Sequence, residues 1–267
     1  MMNVRAPAVA GMFYPAQAAT LRLSLLDCFE KARRPATALR PKALVAPHAG
    51  YIYSGPVAAT AYALLEPLRD VVRRVVLLGP VHRVWVPGLA LPGVDAFATP
   101  LGEVPLDQDG VRAVADLPQV GVSSAAHAQE HSLEVHLPFL QTVLNDFTLV
   151  PLAVGGASAD EVAEVLDRLW GGEETLIVVS SDLSHYLPYT QAEGEDRATA
   201  RAVLALDAHL AGEQACGAHP LNGLLLAARR RGMDVHLLDL RNSGDTAGDR
   251  SRVVGYGAFA FTEAGHA

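Results

Sequence analysis

Four short stretches built almost wholly from Val, Leu, Ile and Ala recur along the chain: "KALVAP" from 42, "RRVVLLGPVH" from 73, "FTLVPLAVGG" from 147 and "ETLIVVSSDLSH" from 174. Runs of this length are too short for buried helices. They show none of the in/out alternation of a half-exposed strand, so they read as strands covered on both faces. The segments between them have helical spacing. Over residues 18–34, Leu21, Leu25, Cys28 and Phe29 recur three and four apart. "GPVAATAYALLEPL" is Ala/Leu-rich, with Pro56 suited to a first turn. Ser158 and Glu161 form a capping box ahead of "ADEVAEVLDRLW". "DQDGVRAVADL" and residues 191–210 and 220–231 are also helical, and "EHSLEVHLPFLQTVL" is helical in part, with Pro138 either kinking it or starting a second helix. Residues 86–106 suggest a hairpin or long loop, and "DVHLLDL" and "RVVGYGAFAF" close the chain as strands. Alternating strands and helices of this kind imply an α/β fold, a mostly parallel or mixed sheet with helices on both faces. No linker or repeat divides residues 1–267, so one domain is expected.

Composition narrows the function classes. Hydrophobic residues are 50% and charged residues 19%, enough for a large core. A net charge of -8 and a pI near 5.6 argue against nucleic acid as a partner, and the basic pairs Arg33-Arg34 and Arg73-Arg74 read as solvated helix ends. Two cysteines, Cys28 and Cys216, make no disulfide framework and fit a reducing cytoplasm. The uncharged run 43–65 could span a bilayer by length. Its Pro47, His48, Gly50, Gly55 and Pro56 speak against that, so no membrane segment is expected. The N-terminal "APAVAGMFYP" imitates a signal peptide only loosely and reads as mature chain.

Three of the apolar strands run through a short turn into a histidine: His48, His82 and His185. Ligands of open α/β sheets bind beyond the carboxyl ends of the strands. If these three strands are parallel neighbours, three imidazoles meet on one rim. Imidazole is both the commonest metal ligand and a group that titrates near neutrality. Two histidines and one carboxylate make the open site of non-haem Fe(II) oxygenases. The carboxylate is expected from the Gly-rich loop "RNSGDTAGDRS", at Asp245 in preference to Asp249, although such clusters are also ordinary turns. Asp182, three residues before His185, is placed to orient that imidazole or to cap a following helix.

"AHAQEHSLEVH" supplies His127, Glu130, His131, Glu134 and His136 without forming the HExxH pattern of zincins. On a helix, His131 and Glu134 would share a face, making His131 a candidate for a substrate or supporting contact. His136 would flank the Leu133/Leu137/Leu140 stripe as a structural residue. His209, His219, His236 and His266 fall in helical, loop, strand and tail contexts and read as structural. A Walker loop, G-x-S-x-G and C-x-x-C are all absent.

Taken in order, "RAPAVAGMFYP", "VAPHAGYIYSG", "LLGPVHR", "EHSLEVHLPFLQ", "SSDLSHY", "CGAHPL" and "NSGDTAGDRSRVVGYGA" resemble the Memo family, whose prokaryotic members are called AmmeMemoRadiSam system protein B. The resemblance covers nearly the whole chain. It implies a single-domain α/β/α fold similar to class III extradiol dioxygenases, which open catechol rings with Fe(II). It also implies His48 and His82 as metal ligands and His185 as the acid/base histidine. Animal members take a third ligand from a late cysteine. That position falls at about Thr246 here, so the chain departs from the animal pattern; Asp245 next to it would restore a carboxylate ligand, or the third ligand is missing. Fe(II) is the implied metal, with copper or zinc as alternatives. The prokaryotic name implies a radical S-adenosylmethionine protein as partner. The functional readings are a dioxygenase-like iron site acting on a small, catecholic molecule, a non-catalytic metal-binding or partner-binding scaffold, and a metal-dependent hydrolase.

Overall fold

In the central strands, side chains alternate between two faces, and each face has its own apolar core. Leu44 and Ala46, Val75 and Leu77, and Leu176 and Val178 enter one core; Ala43 and Val45, Val76 and Leu78, and Ile177 and Val179 enter the other. That is why the sequence shows continuous apolar runs: neither face meets water. A computed structural model describes residues 2–33 and 39–263 of the chain, so Arg34 and His266 lie outside the described residues.

The chain threads β1 (Val4–Arg5), α1 (Ala18–Glu30), β2 (Ala43–Ala46), α2 (Tyr51–Tyr62), β3 (Arg74–Pro80), β4 (Leu89–Leu91), β5 (Ala96–Thr99), β6 (Gly102–Pro105) and α3 (Gln108–Val114). It continues through β7 (Val120–Val122), α4 (Ser124–Ala128), α5 (Leu137–Val143), β8 (Thr148–Val154), α6 (Ala159–Leu169) and β9 (Thr175–Ser180). It closes with β10 (His185–Leu187), α7 (Tyr189–Leu204), α8 (Ala218–Arg230), β11 (Asp234–Asn242) and β12 (Val253–Thr262).

The main sheet has nine strands in the order β10-β12-β2-β9-β3-β8-β4-β7, with β11 also paired to β12. Its centre is parallel: β2 pairs β9, β9 pairs β3 and β3 pairs β8. β12 and β4 join it antiparallel, so the sheet is mixed. A small second sheet, β1-β5-β6, lies apart from it. Helices α1, α2 and α5 cover one face with Leu21, Leu25, Val57, Tyr62 and Phe139. Helices α6 and α8 cover the other with Val162, Leu166, Leu221 and Leu225. The result is the α/β/α sandwich expected from the sequence. At the α6–α8 contact, a Cβ on Gly223 would lie 2.2 Å from Val162 Cγ1, so only glycine allows this approach. The capping box at Ser158 and Glu161 is formed.

Some local expectations give way. Helix α2 starts at Tyr51, so Pro56 lies inside it rather than in its first turn. Helix α7 ends at Leu204 and leaves His209 in a loop, whereas His219 lies in α8. No helix follows Asp182; the chain enters β10 instead. The helix expected from Glu130 onward begins only at Leu137, with Pro138 in its first turn, after a 3-10 turn at Glu134–His136. His131 therefore sits in a loop. Among the described residues, no helix is long and apolar enough to cross a membrane, and Cys28 and Cys216 are both free.

Candidate metal centre

The strands that deliver the three histidines are neighbours, in the order β2-β9-β3, and all are parallel. His48 follows β2, His82 follows β3 and His185 opens β10 beyond β9. The structure brings His48 and His82 together with His131, and one ring nitrogen of each lies within 4.8 Å of the others. The rings meet edge-on or tilted, with centroids 5.1 Å apart for His48 and His82, 5.4 Å for His48 and His131, and 4.6 Å for His82 and His131.

The hydrogen bonds around this triad settle which nitrogens are free. Ser180 Oγ donates to the Ser132 carbonyl at 2.7 Å, so its 2.6 Å contact with His48 Nδ1 must be one in which the imidazole N–H donates. Glu130 Oε1 lies 2.9 Å from His82 Nδ1 and 3.3 Å from His131 Nδ1. A carboxylate only accepts, so both Nδ1 atoms carry the proton. All three rings are held as the Nδ1–H tautomer, so their Nε2 atoms carry the lone pairs; that of His48 also meets the Cys216 thiol at 3.3 Å.

Burial keeps His48 neutral: it is 2% exposed, and desolvation, with His82, His131 and His136 nearby, holds its pKa well below the ordinary imidazole value. Burial pushes the Glu130 carboxyl up. The hydrogen bonds from His131 and His82 outweigh it and hold the group well below the usual carboxylate range. Glu130 also accepts the backbone N–H groups of His82, His131 and Ser132. A further tie comes from the N-terminus, where Arg5 donates to the carbonyls of His127 and Glu130 and pairs with Glu134 at 2.7 Å. Glu134 in turn accepts from Ala8 N, Val9 N and the Tyr14 hydroxyl. Phe13, carried by the same segment, packs on His131 with ring centroids 4.5 Å apart.

Asp182 does not orient His185. Its Oδ1 accepts the His48 backbone N–H at 2.8 Å, because the chain beyond β9 passes directly beside the end of β2. Burial pushes the Asp182 pKa up to about 7. His185 lines a cleft of about 650 Å³ together with His82 and Cys216. Its pKa is lowered by burial, and His82 adds to the effect. Tyr186, next to it, has φ +60, a left-handed conformation rare for a residue with a side chain.

Asp245 is not part of the triad. It is exposed, its Oδ2 accepts the Asn242 backbone N–H and its Oδ1 accepts from the Tyr189 hydroxyl at 2.5 Å. The Asp245 carboxylate closes a capping box on its own 3-10 turn, which satisfies it away from the histidines. Asp249 is likewise occupied by Ser251. His131, expected as a supporting contact, instead completes the triad. His136 is fully buried against the Tyr62 hydroxyl. The sequence reading also missed Cys216, whose Sγ lies 3.3 Å from His48 Nε2. Ser180 and Glu130 were missed as orienting groups. The signal for Glu130 was its place directly before His131.

The Memo-like protein family model matches residues 5–260. A MEMO1 family protein of Methanopyrus kandleri is 36% identical, over 96% of this chain and 98% of that protein. One from Aquifex aeolicus is 37% identical over the same shares, and one from Methanothermobacter thermautotrophicus is 35% identical over 95% and 98%. Among solved structures, an uncharacterized protein from Escherichia coli K12 superposes with a TM-score of 0.51 at 16% identity, covering 81% of this chain and 99% of that one. That likeness is one of fold. With its motifs, its sandwich and its near full-length relatives in agreement, this chain belongs to the Memo family.

Proposed function

We propose that His48, His82 and His131 hold a divalent metal ion through their Nε2 atoms, iron in the first instance, and that the adjoining cleft binds a small catecholic molecule for dioxygenase-like chemistry. The observation that supports this most is the orienting set: Ser180 faces Nδ1 of His48, Glu130 faces Nδ1 of both His82 and His131, and one nitrogen of each ring lies within 4.8 Å of the others. A donor set of neutral imidazoles suits iron, copper and zinc alike. Bound iron would supply O₂ and redox chemistry. The chain's own contribution is positional. Ser180 and Glu130 fix the rings. Asp182 holds the backbone at His48. His185, kept neutral near pH 7 by burial, can take a proton from a substrate hydroxyl at its ring nitrogen.

A second reading is favoured by one observation: the triad contains no carboxylate. Three histidines with an open position are the set that zinc uses to activate water. In that reading His185 would assist a hydrolysis. The test is anaerobic purification with quantification of iron, copper and zinc. His48→Ala and His131→Ala are expected to lose the metal while Asp245→Ala keeps it. Retention of wild-type metal by both histidine variants would overturn the site. Iron with O₂ uptake on catechols supports the first reading; zinc with ester hydrolysis and no O₂ uptake supports the second.

A further inference from the structure

The three histidines are oriented from two directions. His48 is set from the main sheet, because Ser180 at the end of β9 accepts its Nδ1–H. His82 and His131 are both set by the Glu130 carboxylate, which comes from the turn after α4. In that turn Ala128 and Gln129 are exposed, so neither side chain anchors the stretch that leads into Glu130. Beneath it lies Arg5, with a side chain only 5% exposed. Its Nε donates to the His127 carbonyl and its Nη2 to the Glu130 carbonyl, both at 2.7 Å, while Nη1 meets Glu134 at the same distance. One rigid guanidinium thus spans the turn, a fork geometry particular to arginine. Arg5 is itself placed by β1, which pairs with β5 of the small sheet at Phe97 and not with the main sheet.

We propose that Arg5 is a positioning residue: it holds this turn so that Glu130 keeps His82 and His131 as the Nδ1–H tautomer, while His48 is set independently by Ser180. The two halves meet at Ser132, whose carbonyl accepts from Ser180. Ser132 is pinned to the end of β3 by its own hydroxyl, which donates to the Pro80 carbonyl at 2.7 Å. Loss of Arg5 therefore leaves Ser180 committed and His48 oriented. The small sheet acquires a purpose from this, since it carries Arg5 to the turn. The consequence for metal affinity rests on the metal-site reading above; the control of the tautomers does not.

The test is a long-range proton–nitrogen correlation spectrum of the metal-free protein, which reads the tautomer of each imidazole. Peaks are assigned with His48→Gln, His82→Gln and His131→Gln. The native chain is expected to show all three rings as Nδ1–H. Arg5→Lys keeps a cation beside Glu134 but has a single nitrogen in place of the fork. In it His82 and His131 should exchange between tautomers while His48 stays fixed, and zinc affinity, read by chelator competition, should fall about tenfold. Arg5→Met/Glu134→Gln removes the buried ion pair as a whole and should behave the same way. Leu166→Ala, a truncation in the core on the other face of the sheet, should leave all three tautomers in place. The proposal is overturned if the native chain lacks the three Nδ1–H forms, if His82 and His131 stay fixed in either Arg5 variant, or if Leu166→Ala releases them equally. Released tautomers, with zinc bound no better by the native chain than by His131→Ala, would leave the role of Arg5 standing and remove the metal reading. Weaker zinc binding with unchanged tautomers would remove the role of Arg5 and leave the metal reading standing.

Discussion

Ser180 Oγ accepts a hydrogen bond from His48 Nδ1–H at 2.6 Å because its own hydroxyl hydrogen is already committed to the Ser132 carbonyl at 2.7 Å. The serine acts as a one-way contact that determines which nitrogen of His48 is free. Ser180→Ala removes that constraint and leaves the Ser132 carbonyl without its donor. Metal affinity is expected to fall about 10- to 100-fold, the usual effect of losing a partner behind a ligand. A competition titration against a chelator measures it.

Glu130 serves two histidines at once. Glu130→Gln has one carbonyl oxygen in place of the carboxylate, and its amide NH₂ cannot accept from either imidazole. The expected metal affinity loss is about 100-fold or more, larger than for Ser180→Ala because two rings lose their orientation together. The same chelator titration ranks the two variants, and equal losses would refute the shared role.

Glu134 lies 0% exposed against Arg5 at 2.7 Å. Glu134→Gln leaves the guanidinium buried without its counter-charge, which costs about 3–5 kcal/mol. Urea unfolding followed by fluorescence should show the midpoint falling with an unchanged slope.

Burial pushes the Asp196 carboxyl from an ordinary 3.8 up to about 6, against the hydrogen bond it accepts from Ser184 N. Between about pH 4 and pH 6 the folded chain therefore binds more of this proton than the unfolded chain does, and the Asp196 contribution to stability falls as pH rises through that window. Asp196→Asn cannot titrate and lacks this loss. Its stability relative to the native protein should climb by up to about 3 kcal/mol from pH 4 to pH 6.5 and then level off. Unfolding at five pH values in that range checks the sign.

Burial pushes both thiols, Cys28 and Cys216, up to about 12. Thiolate is the reactive form, so iodoacetamide at pH 8 should alkylate the native chain about a hundredfold more slowly than an unfolded one. Mass spectrometry should find both cysteines modified only after denaturation.

The sheet was legible because its central strands are apolar on both faces, and the fixed turn after each strand made His48 and His82 visible as rim residues. His131 was harder. It lies in a loop, and its approach depends on Glu130, Arg5 and the N-terminal segment, which are far apart in sequence. Asp245 was misplaced because composition shows that a carboxylate is present but does not show that its own turn uses one oxygen and the Tyr189 hydroxyl the other. Asp182 was assigned to the nearest histidine along the chain, while the parallel pairing of β2 and β9 gives it to His48.

The order β2-β9-β3 has a consequence for how the protein is made. The strand between the two that carry His48 and His82 is the last of the three in the sequence, and His131 comes from a loop clamped by the N-terminus. Until β9 is in place, β2 and β3 are not joined through it, so a metal held by the triad would meet its full donor set only when nearly the whole sandwich has formed. A metal that binds only the finished fold would stabilise it by mass action, and its removal would leave a less durable form of the same protein.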